Sequence, residues 1–280
     1  MKRKNINILY TLGVIFLIIY CLFPIIWCFI ISITPESEML VKTTKLLPQS
    51  LVFGSYRKLL TISGRESQII IRGMKNALKI SMVTILIGIP ITFVSGYVIT
   101  RYDFKFKKIF LNILFLTIII PVFTTIIPIY NIFRKLNLLD SMAATSIIYI
   151  SSFLPMNTFI VINYLKDIPE EIFEACYVDG FSEKDIFFKV VLPLSRPIIV
   201  TISLIFFLSS FKQYIIPTIL LSSTGHKVIT QVMSEFITKD TINYGLIAAG
   251  GILSIIPPAI IASIFRKYLV NGLTSGSVKS

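Results

Sequence analysis

Charged residues are scarce in this chain. Only 15% of its 280 residues are charged, whereas 55% are apolar. Soluble domains usually carry about a quarter charged residues. The mean hydropathy of +0.83 agrees with this deficit. Together these values argue against a water-soluble globular fold and favour a polytopic membrane protein.

Residues that support catalysis or metal binding are equally few. Cys21 and Cys28 lie inside one apolar run and Cys176 stands alone, so the three cysteines form no disulfide framework. The single histidine, His226, falls in a predicted outer loop, where we expect it to be solvated. No GxxxxGK[ST] motif occurs, so any ATP would be bound by another polypeptide. We expect no enzyme activity, no metal site and no cofactor on this chain.

The charge balance is strongly basic. Twenty-seven Lys and Arg against 14 Asp and Glu leave a net charge of +13. A surplus of this sign suits anionic lipid headgroups. Nucleic-acid binding would need a basic patch on a soluble domain, and no soluble stretch is long enough to fold alone. The membrane is therefore the predicted partner, and nucleic acid is not.

Long apolar runs predict the membrane spans. Crossing the hydrocarbon core takes roughly 20 apolar residues as a helix. The basic start, Met1–Lys4, is typical of a signal peptide, but the apolar run after it exceeds the roughly 7–15 residues of a signal sequence, so we expect a retained helix. The prediction is an all-α membrane protein, one domain over 1–280, with six transmembrane helices at about 6–33, 76–100, 109–133, 141–165, 197–221 and 243–265.

Loop charges predict the orientation of these spans. With both termini inside, the inner segments hold 14 Lys and Arg and the outer segments hold 11. The outer charges lie mostly in one long loop, which counts for little, whereas the cluster over 101–108 is dense. We therefore expect cytoplasmic N- and C-termini.

An amphipathic helix is predicted on the outer side over Val228–Ile237, because its apolar residues fall on one helical face. Such a helix would lie across the outer mouth of the bundle. Two interpretations stay open: a packing helix at headgroup level, or a gate or docking surface for an external partner.

The inner segment 166–196 holds many of the 14 acidic residues and predicts two helices joined by a turn. Its local signals are Pro169 at the first helical position, Glu170 and Glu171 in the first turn, Gly180 at the turn, Ser182 as the cap of the second helix, and Pro193 as its end.

One face of the first predicted helix suits a protein partner. Glu170 and Glu174 are four residues apart and share a side. The small pair Ala175-Cys176 would let another surface approach the backbone, and an acid beside it could pair with a partner Arg or Lys. The hairpin is thus a candidate docking device.

This segment resembles the EAA loop of ABC importer permease subunits, through Glu174-Ala175-Cys176-x-x-Asp179-Gly180 followed by Ile186 and Leu192-Pro193-Leu194. The extended form, from Ile168-Pro169-Glu170 to Pro197, is similar to the carbohydrate-uptake branch, the second maltose-type permease subunit in particular. Further matches are Asn76-Ala77-Leu78, Arg101-Tyr102, Pro121, Pro128, Leu154-Pro155 and the tail Tyr268–Lys279.

The resemblance implies a function and a set of partners. The function is a permease subunit of a binding-protein-dependent sugar or oligosaccharide importer in the bacterial inner membrane. The partners are a second permease subunit, two copies of an ATPase subunit that bind ATP and Mg, and an extracellular solute-binding protein. The implied ATPase-coupling residues are Glu170, Glu174, Ala175, Cys176, Asp179 and Gly180, with Cys176 replacing the family's usual second Ala. A plain cytoplasmic helical hairpin is the alternative.

A lysine within the fifth predicted span is unusual. An ammonium at the bilayer centre costs at least about 2.5–3.5 kcal/mol, so Lys212 should face the bundle interior or water. The resembled family commonly has Trp-Asn at Phe211-Lys212. We expect the translocation path to be lined by Ser210, Lys212, Gln213 and Tyr214 and to favour an acidic sugar such as a uronate oligosaccharide. The alternative is that Lys212 snorkels outward or pairs with a partner chain.

Two other functions are less consistent with the sequence than the importer. An ion-coupled secondary transporter would need inverted repeats and usually intramembrane acids, whereas all 14 acids fall outside the predicted spans and no repeat is visible. A non-transporting membrane assembly protein fits the composition but leaves the spacing of the inner hairpin unexplained.

Overall fold

The computed structural model describes residues 2–39, 47–61, 64–237 and 243–274, with side chains from 10 to 266. Within these residues the secondary structure is helical, which confirms the predicted all-α class. The helices are α1 (Lys2–Ile33), α2 (Glu36–Met39), α3 (Gly54–Leu60), α4 (Arg65–Arg101), α5 (Lys107–Ile119), α6 (Val122–Lys135), α7 (Met142–Lys166), α8 (Glu170–Val178), α9 (Glu183–Asp185), a π-helical segment (Ile186–Val191), α10 (Leu192–Leu194), α11 (Arg196–Phe211), α12 (Ile215–Leu220), α13 (Ile229–Glu235) and α14 (Tyr244–Thr274).

Four of the described helices, α1, α4, α7 and α14, are individually long and apolar enough to cross a membrane. Two bent pairs also qualify: α5 with α6, bent by 98°, and the segment Glu183–Leu194 with α11, bent by 69°. The described residues therefore supply four membrane helices, or up to six if each bent pair is one span.

The third predicted span, 109–133, is not one straight helix. Its break falls at Pro121, which has no N–H to continue the helical ladder. The proline also forces the residue before it out of the α region, and Ile120 is extended, at φ −68° and ψ 117°. A proline that the sequence placed inside a span thus sets the bend.

Contacts divide the chain into two compact units, Met1–Met74 with Ile229–Ile256 and Lys75–Val228 with Pro257–Ser280. In the first unit α13 lies within the predicted amphipathic segment. A Cβ on Gly73 would lie 2.8 Å from Val232, and a Cβ on Gly250 would lie 2.7 Å from Met233. The apolar face of α13 therefore packs closely against α4 and α14.

In the second unit, small residues on α4 form one packing stripe. Small residues let membrane helices approach closely. A Cβ on Gly96 would lie 2.5 Å from Val161 of α7, and one on Gly88 would lie 2.9 Å from Phe206 of α11. The stripe recurs every three or four residues: Ala77, Ser81, Thr84, Gly88, Thr92 and Gly96.

Candidate functional site

The predicted hairpin is present, with the expected turn. Gly180 follows α8 at φ +77°, a conformation that glycine adopts without steric cost. Ser182 Oγ accepts a hydrogen bond from the Asp185 N–H at 3.3 Å and caps α9. Pro169 immediately precedes the first helical residue, Glu170, one position earlier than predicted. The local signals therefore located the starts of both helices of the hairpin to within a residue.

The prediction that Pro193 ends the second helix was wrong. The helical backbone runs through Pro193 to Leu194, after a π-helical segment in which the Leu192 N–H donates to the Phe187 carbonyl. A proline ring clashes with the carbonyl one turn earlier in an α-helix. The wider π turn just before Pro193 accommodates the ring, and the sharp bend into α11 follows near Ser195.

The two faces of α8 differ in exposure. Phe173 and Cys176 are 6% and 8% exposed and belong to a buried cluster that includes Tyr97 of α4 and Ile186 of the π-helical segment. Glu174 and Ala175 are exposed on the other side. Cys176 therefore does not offer the accessible small surface that we expected, because positions 173 and 176 share one helical face and the phenyl ring already directs that face inward.

Arg101, the last residue of α4, is the main polar contact of α8. Its Nη1 donates to both carboxylate oxygens of Glu170, at 2.6 and 2.7 Å, and its Nη2 lies 3.3 Å from Tyr177 Oη. The guanidinium also stacks 4.0 Å from the centre of the Phe173 ring. Glu170, predicted to contact the ATPase, is thus paired within its own chain. The sequence placed Arg101 in the basic cluster over 101–108 and in the family resemblance, but it did not identify Glu170 as its partner.

A second contact joins α9 to the same end of α4. The carboxylate of Glu183 accepts hydrogen bonds from Tyr177 Oη at 2.6 Å and from Tyr102 Oη at 2.9 Å. These two bonds, the Tyr177 bond most, hold the pKa of Glu183 below its usual value. The same hydrogen bond from Tyr102 to the carboxylate of Glu183 raises the pKa of the Tyr102 hydroxyl. Both halves of the hairpin are therefore tied to Arg101 and Tyr102.

A cavity of about 620 Å³ lies beside the start of α8. Its wall includes Thr100 and Arg101 of α4, Lys166 of α7, and Pro169 and Glu170 at the start of α8. The Arg101–Glu170 ion pair therefore borders an opening rather than a packed core.

The candidate pathway residues lie at a break in the fifth predicted span. Between α11 and α12, Lys212 and Tyr214 are exposed and Gln213 is partly buried. Ser210 is buried, and its Oγ lies 3.2 Å from Ser81 Oγ of α4. Ser210 therefore packs against α4 of its own chain, whereas Lys212 and Tyr214 are exposed.

Asp140 organises the loop after α12, a role that the sequence did not single out. Its Oδ1 accepts hydrogen bonds from the N–H groups of Ser222 and Ser223 at 3.1 and 3.0 Å. Burial raises the pKa of Asp140, but the bonds from Ser223 and the nearby His226 outweigh it and leave the pKa below its usual value. His226 Nδ1 lies 3.2 Å from Asp140 Oδ2, so the half-exposed histidine contacts an aspartate rather than water alone.

Asn76 holds the same loop from the start of the second predicted span. Its buried amide donates to the carbonyls of Gly225 and Lys227 at 2.8 and 2.9 Å. The described ranges contain no group of three or more His, Cys, Asp or Glu side chains that could hold a metal ion. The two bonds of Asn76 tie this loop to α4.

Comparison with known proteins gives a consistent result. The family of binding-protein-dependent transport system inner membrane components matches residues 75–275. The galactooligosaccharides transport system permease protein GanQ of Bacillus subtilis (strain 168) is 27% identical over 99% of this chain and 97% of its own length. The trehalose transport system permease protein SugB of Mycobacterium tuberculosis (strain CDC 1551 / Oshkosh) is 28% identical over 93% of each chain.

Solved structures share the fold. A chain of a bacterial ABC transporter involved in the import of the acidic polysaccharide alginate superposes with a TM-score of 0.78 at 21% identity, over 96% of this chain and 98% of that chain. A chain of the MetNI methionine ABC transporter gives 0.61 at 17% identity, over 75% of this chain and 99% of that chain. With the match over 75–275, these findings show that the chain belongs to the family of binding-protein-dependent transport system inner membrane components, as a multi-pass permease rather than an enzyme.

Proposed function

We propose that this chain is one of two permease subunits of an ATP-driven importer of sugars or oligosaccharides and forms half of its translocation path. The relatives named above carry galactooligosaccharides and trehalose in their names and align along nearly the whole chain. The second permease subunit would form the other half of the path. An extracellular solute-binding protein would deliver the sugar, and both termini would lie in the cytoplasm.

In this proposal two ATPase subunits bind ATP and Mg and dock on α8. The observation that carries the proposal is the division of α8 into two faces: Phe173 and Cys176 anchor it, while Glu174, Ala175 and Val178 project. Val178 is 87% exposed, so the projecting face of α8 combines an acid with a small and an apolar side chain. An exposed acid beside a small residue suits a partner cleft lined by Arg or Lys.

The remaining coupling residues have supporting roles in the same proposal. Asp179 is exposed at the end of α8, and Gly180 permits the sharp turn to α9. Glu170 and Cys176 position the helix instead of contacting the ATPase. Closure of the ATP-loaded subunits would move the hairpin 169–190 as a rigid body and switch the path between inward-facing and outward-facing states.

Co-purification from the native membrane tests the docking role. The tagged wild-type chain should elute in mild detergent with a second permease chain and an ATPase subunit. Glu174→Lys and Gly180→Pro should each lose the ATPase subunit and keep the second permease. Asp103→Lys is the matched control, because it reverses an acid whose side chain is 99% exposed outside the hairpin. A wild-type chain that elutes alone would contradict the importer proposal.

For the substrate, we propose that Lys212, Gln213 and Tyr214 line the path and that Lys212 favours acidic sugars. Lys212 is exposed in the break between α11 and α12, within a predicted span. A charge at that depth needs water or a partner chain. The buried Ser210 would support this segment through Ser81 rather than contact the sugar.

Uptake by whole cells tests this assignment. Lys212→Ala should lower uptake of a uronate oligosaccharide while leaving uptake of a neutral galactooligosaccharide unchanged. Lys79→Ala is the matched control, since Lys79 is also exposed but lies near the predicted outer end of span two. If Lys212→Ala leaves uptake of both sugars as in the wild type, the assignment is wrong.

A further inference from the structure

Arg101 is far along the chain from the helix that it contacts most closely. It ends α4, and Glu170 follows 69 residues later in the chain. The hairpin is attached in sequence to α7 on one side and α11 on the other. A movement of α8 can therefore reach α4 only through contacts between side chains, and Arg101 supplies several of them.

We propose that Arg101 is the positioning residue that ties the coupling hairpin to α4, so that a movement of α8 is transmitted to the second span. This inference rests on the proposed docking of an ATPase on α8. It assigns no contact between Arg101 and sugar or ATP, and it gives α4 a route of transmission separate from the chain connections through α7 and α11.

The contacts of Arg101 fix one relative position of α4 and α8. One guanidinium nitrogen bonds both oxygens of Glu170, and hydrogen bonds between charged groups are shorter and stronger than neutral ones. Stacking on Phe173 orients the guanidinium plane as well. The arginine side chain is 18% exposed and the Glu170 side chain is 68% exposed, so water reaches the carboxylate while the guanidinium stays held against Phe173.

Apolar packing alone would hold this junction less specifically. Phe173 and Tyr97 belong to one buried cluster, but apolar contact is non-directional and allows sliding. The cavity of about 620 Å³ beside Pro169 and Glu170 leaves the start of α8 bordered by open space. The ion pair therefore bridges the side of the junction where close packing is interrupted.

Tyr102, the residue after Arg101, ties the second half of the hairpin to the end of α4 in a similar way. Tyr102 Oη donates a hydrogen bond to Glu183 at the start of α9. Tyr177 Oη also donates to Glu183, and it accepts a hydrogen bond from Arg101 Nη2. Two consecutive residues at the end of α4 thus hold both halves of one hairpin. This pairing is the geometry required if the hairpin and the end of α4 move as one body.

Hydrogen–deuterium exchange on the purified transporter complex tests the inference, with and without Mg-ATP plus vanadate. In the wild type we expect nucleotide to change exchange both in α8 and in the segment 96–104 at the end of α4. In Arg101→Ala the response should persist in α8 and be lost in 96–104. Lys105→Ala is the matched control: it removes an exposed basic side chain just after α4 that lies over the adjacent Phe106 ring, and it should keep both responses.

Two further variants make the test robust to a failure of assembly. Glu170→Gln removes the charge but keeps Arg101 on Phe173, and it should reduce the 96–104 response selectively. Arg101→Glu combined with Glu170→Arg should restore part of that response. A full 96–104 response in Arg101→Ala, or none in a wild type whose α8 responds, overturns the inference. A wild type in which α8 itself does not respond overturns the proposed docking function instead.

Discussion

Gly96 allows α4 to approach α7 closely, and its replacement by alanine should destabilise the protein. A Cβ built on Gly96 would lie 2.5 Å from Val161 Cγ1 and 3.0 Å from Val161 Cβ. Val161 is fully buried and β-branched, so its side chain has no free space and little rotamer freedom. Overpacking of this kind costs about 1–3 kcal/mol. The better helix propensity of alanine returns at most about 1 kcal/mol.

The assay is the apparent melting temperature of the detergent-solubilised transporter. A change of 1 kcal/mol shifts the melting temperature of a chain of this size by roughly 2–4 °C, so we expect Gly96→Ala to lower it by several degrees. Gly13→Ala is the matched control, because no atom lies within 4 Å of a Cβ at that helical position. Adding Val161→Ala to Gly96→Ala should cost less than the sum of the single changes. A Gly96→Ala protein as stable as the wild type would refute the close-packing argument.

Three further changes have defined outcomes. Gly180→Ala should cost roughly 1–2 kcal/mol through its φ of +77° alone, since nothing obstructs a Cβ there, and Gly180→Asn should cost less, as a melting scan would show. Asn76→Ala should cost about 1–3 kcal/mol and increase proteolysis of the outer loop, because two buried amide bonds are lost. Tyr177→Phe should lower stability slightly at neutral pH, and the deficit should vanish in acid. The sign follows from the lowered pKa of Glu183. The hydrogen bonds to its carboxylate stabilise the folded protein above the usual pKa of a glutamate, and this stabilisation is lost as the pH falls through the lowered pKa.

Local sequence signals predicted local structure well. Hydropathy located the long helices because a membrane helix needs an uninterrupted apolar run. The glycine turn and the Ser182 cap were readable because both depend on residues only a few positions apart. Prolines were harder to interpret: Pro121 breaks a predicted span, whereas Pro193 is accommodated by a π turn.

Contacts between distant residues could not be read in the same way. The Arg101–Glu170 pair joins residues 69 apart, and no periodic pattern links them. Two features were readable but missed. The small residues of α4 recur at helical spacing through Gly88 and Gly96, and the spacing of Phe173 and Cys176 indicated a shared buried face.

The break at Lys212 supports a polar environment by an argument independent of its charge. With 16 residues, α11 is about 24 Å long, shorter than the hydrocarbon core of about 30 Å, so the predicted span requires α12 as well. A helix that ends inside the membrane leaves its last carbonyls without intrahelical partners. Irregular backbone at that depth is tolerated only where protein covers it or water reaches it. The backbone of 212–214 and the ammonium of Lys212 thus impose the same requirement, and a water-filled path or a second permease chain at this break satisfies both.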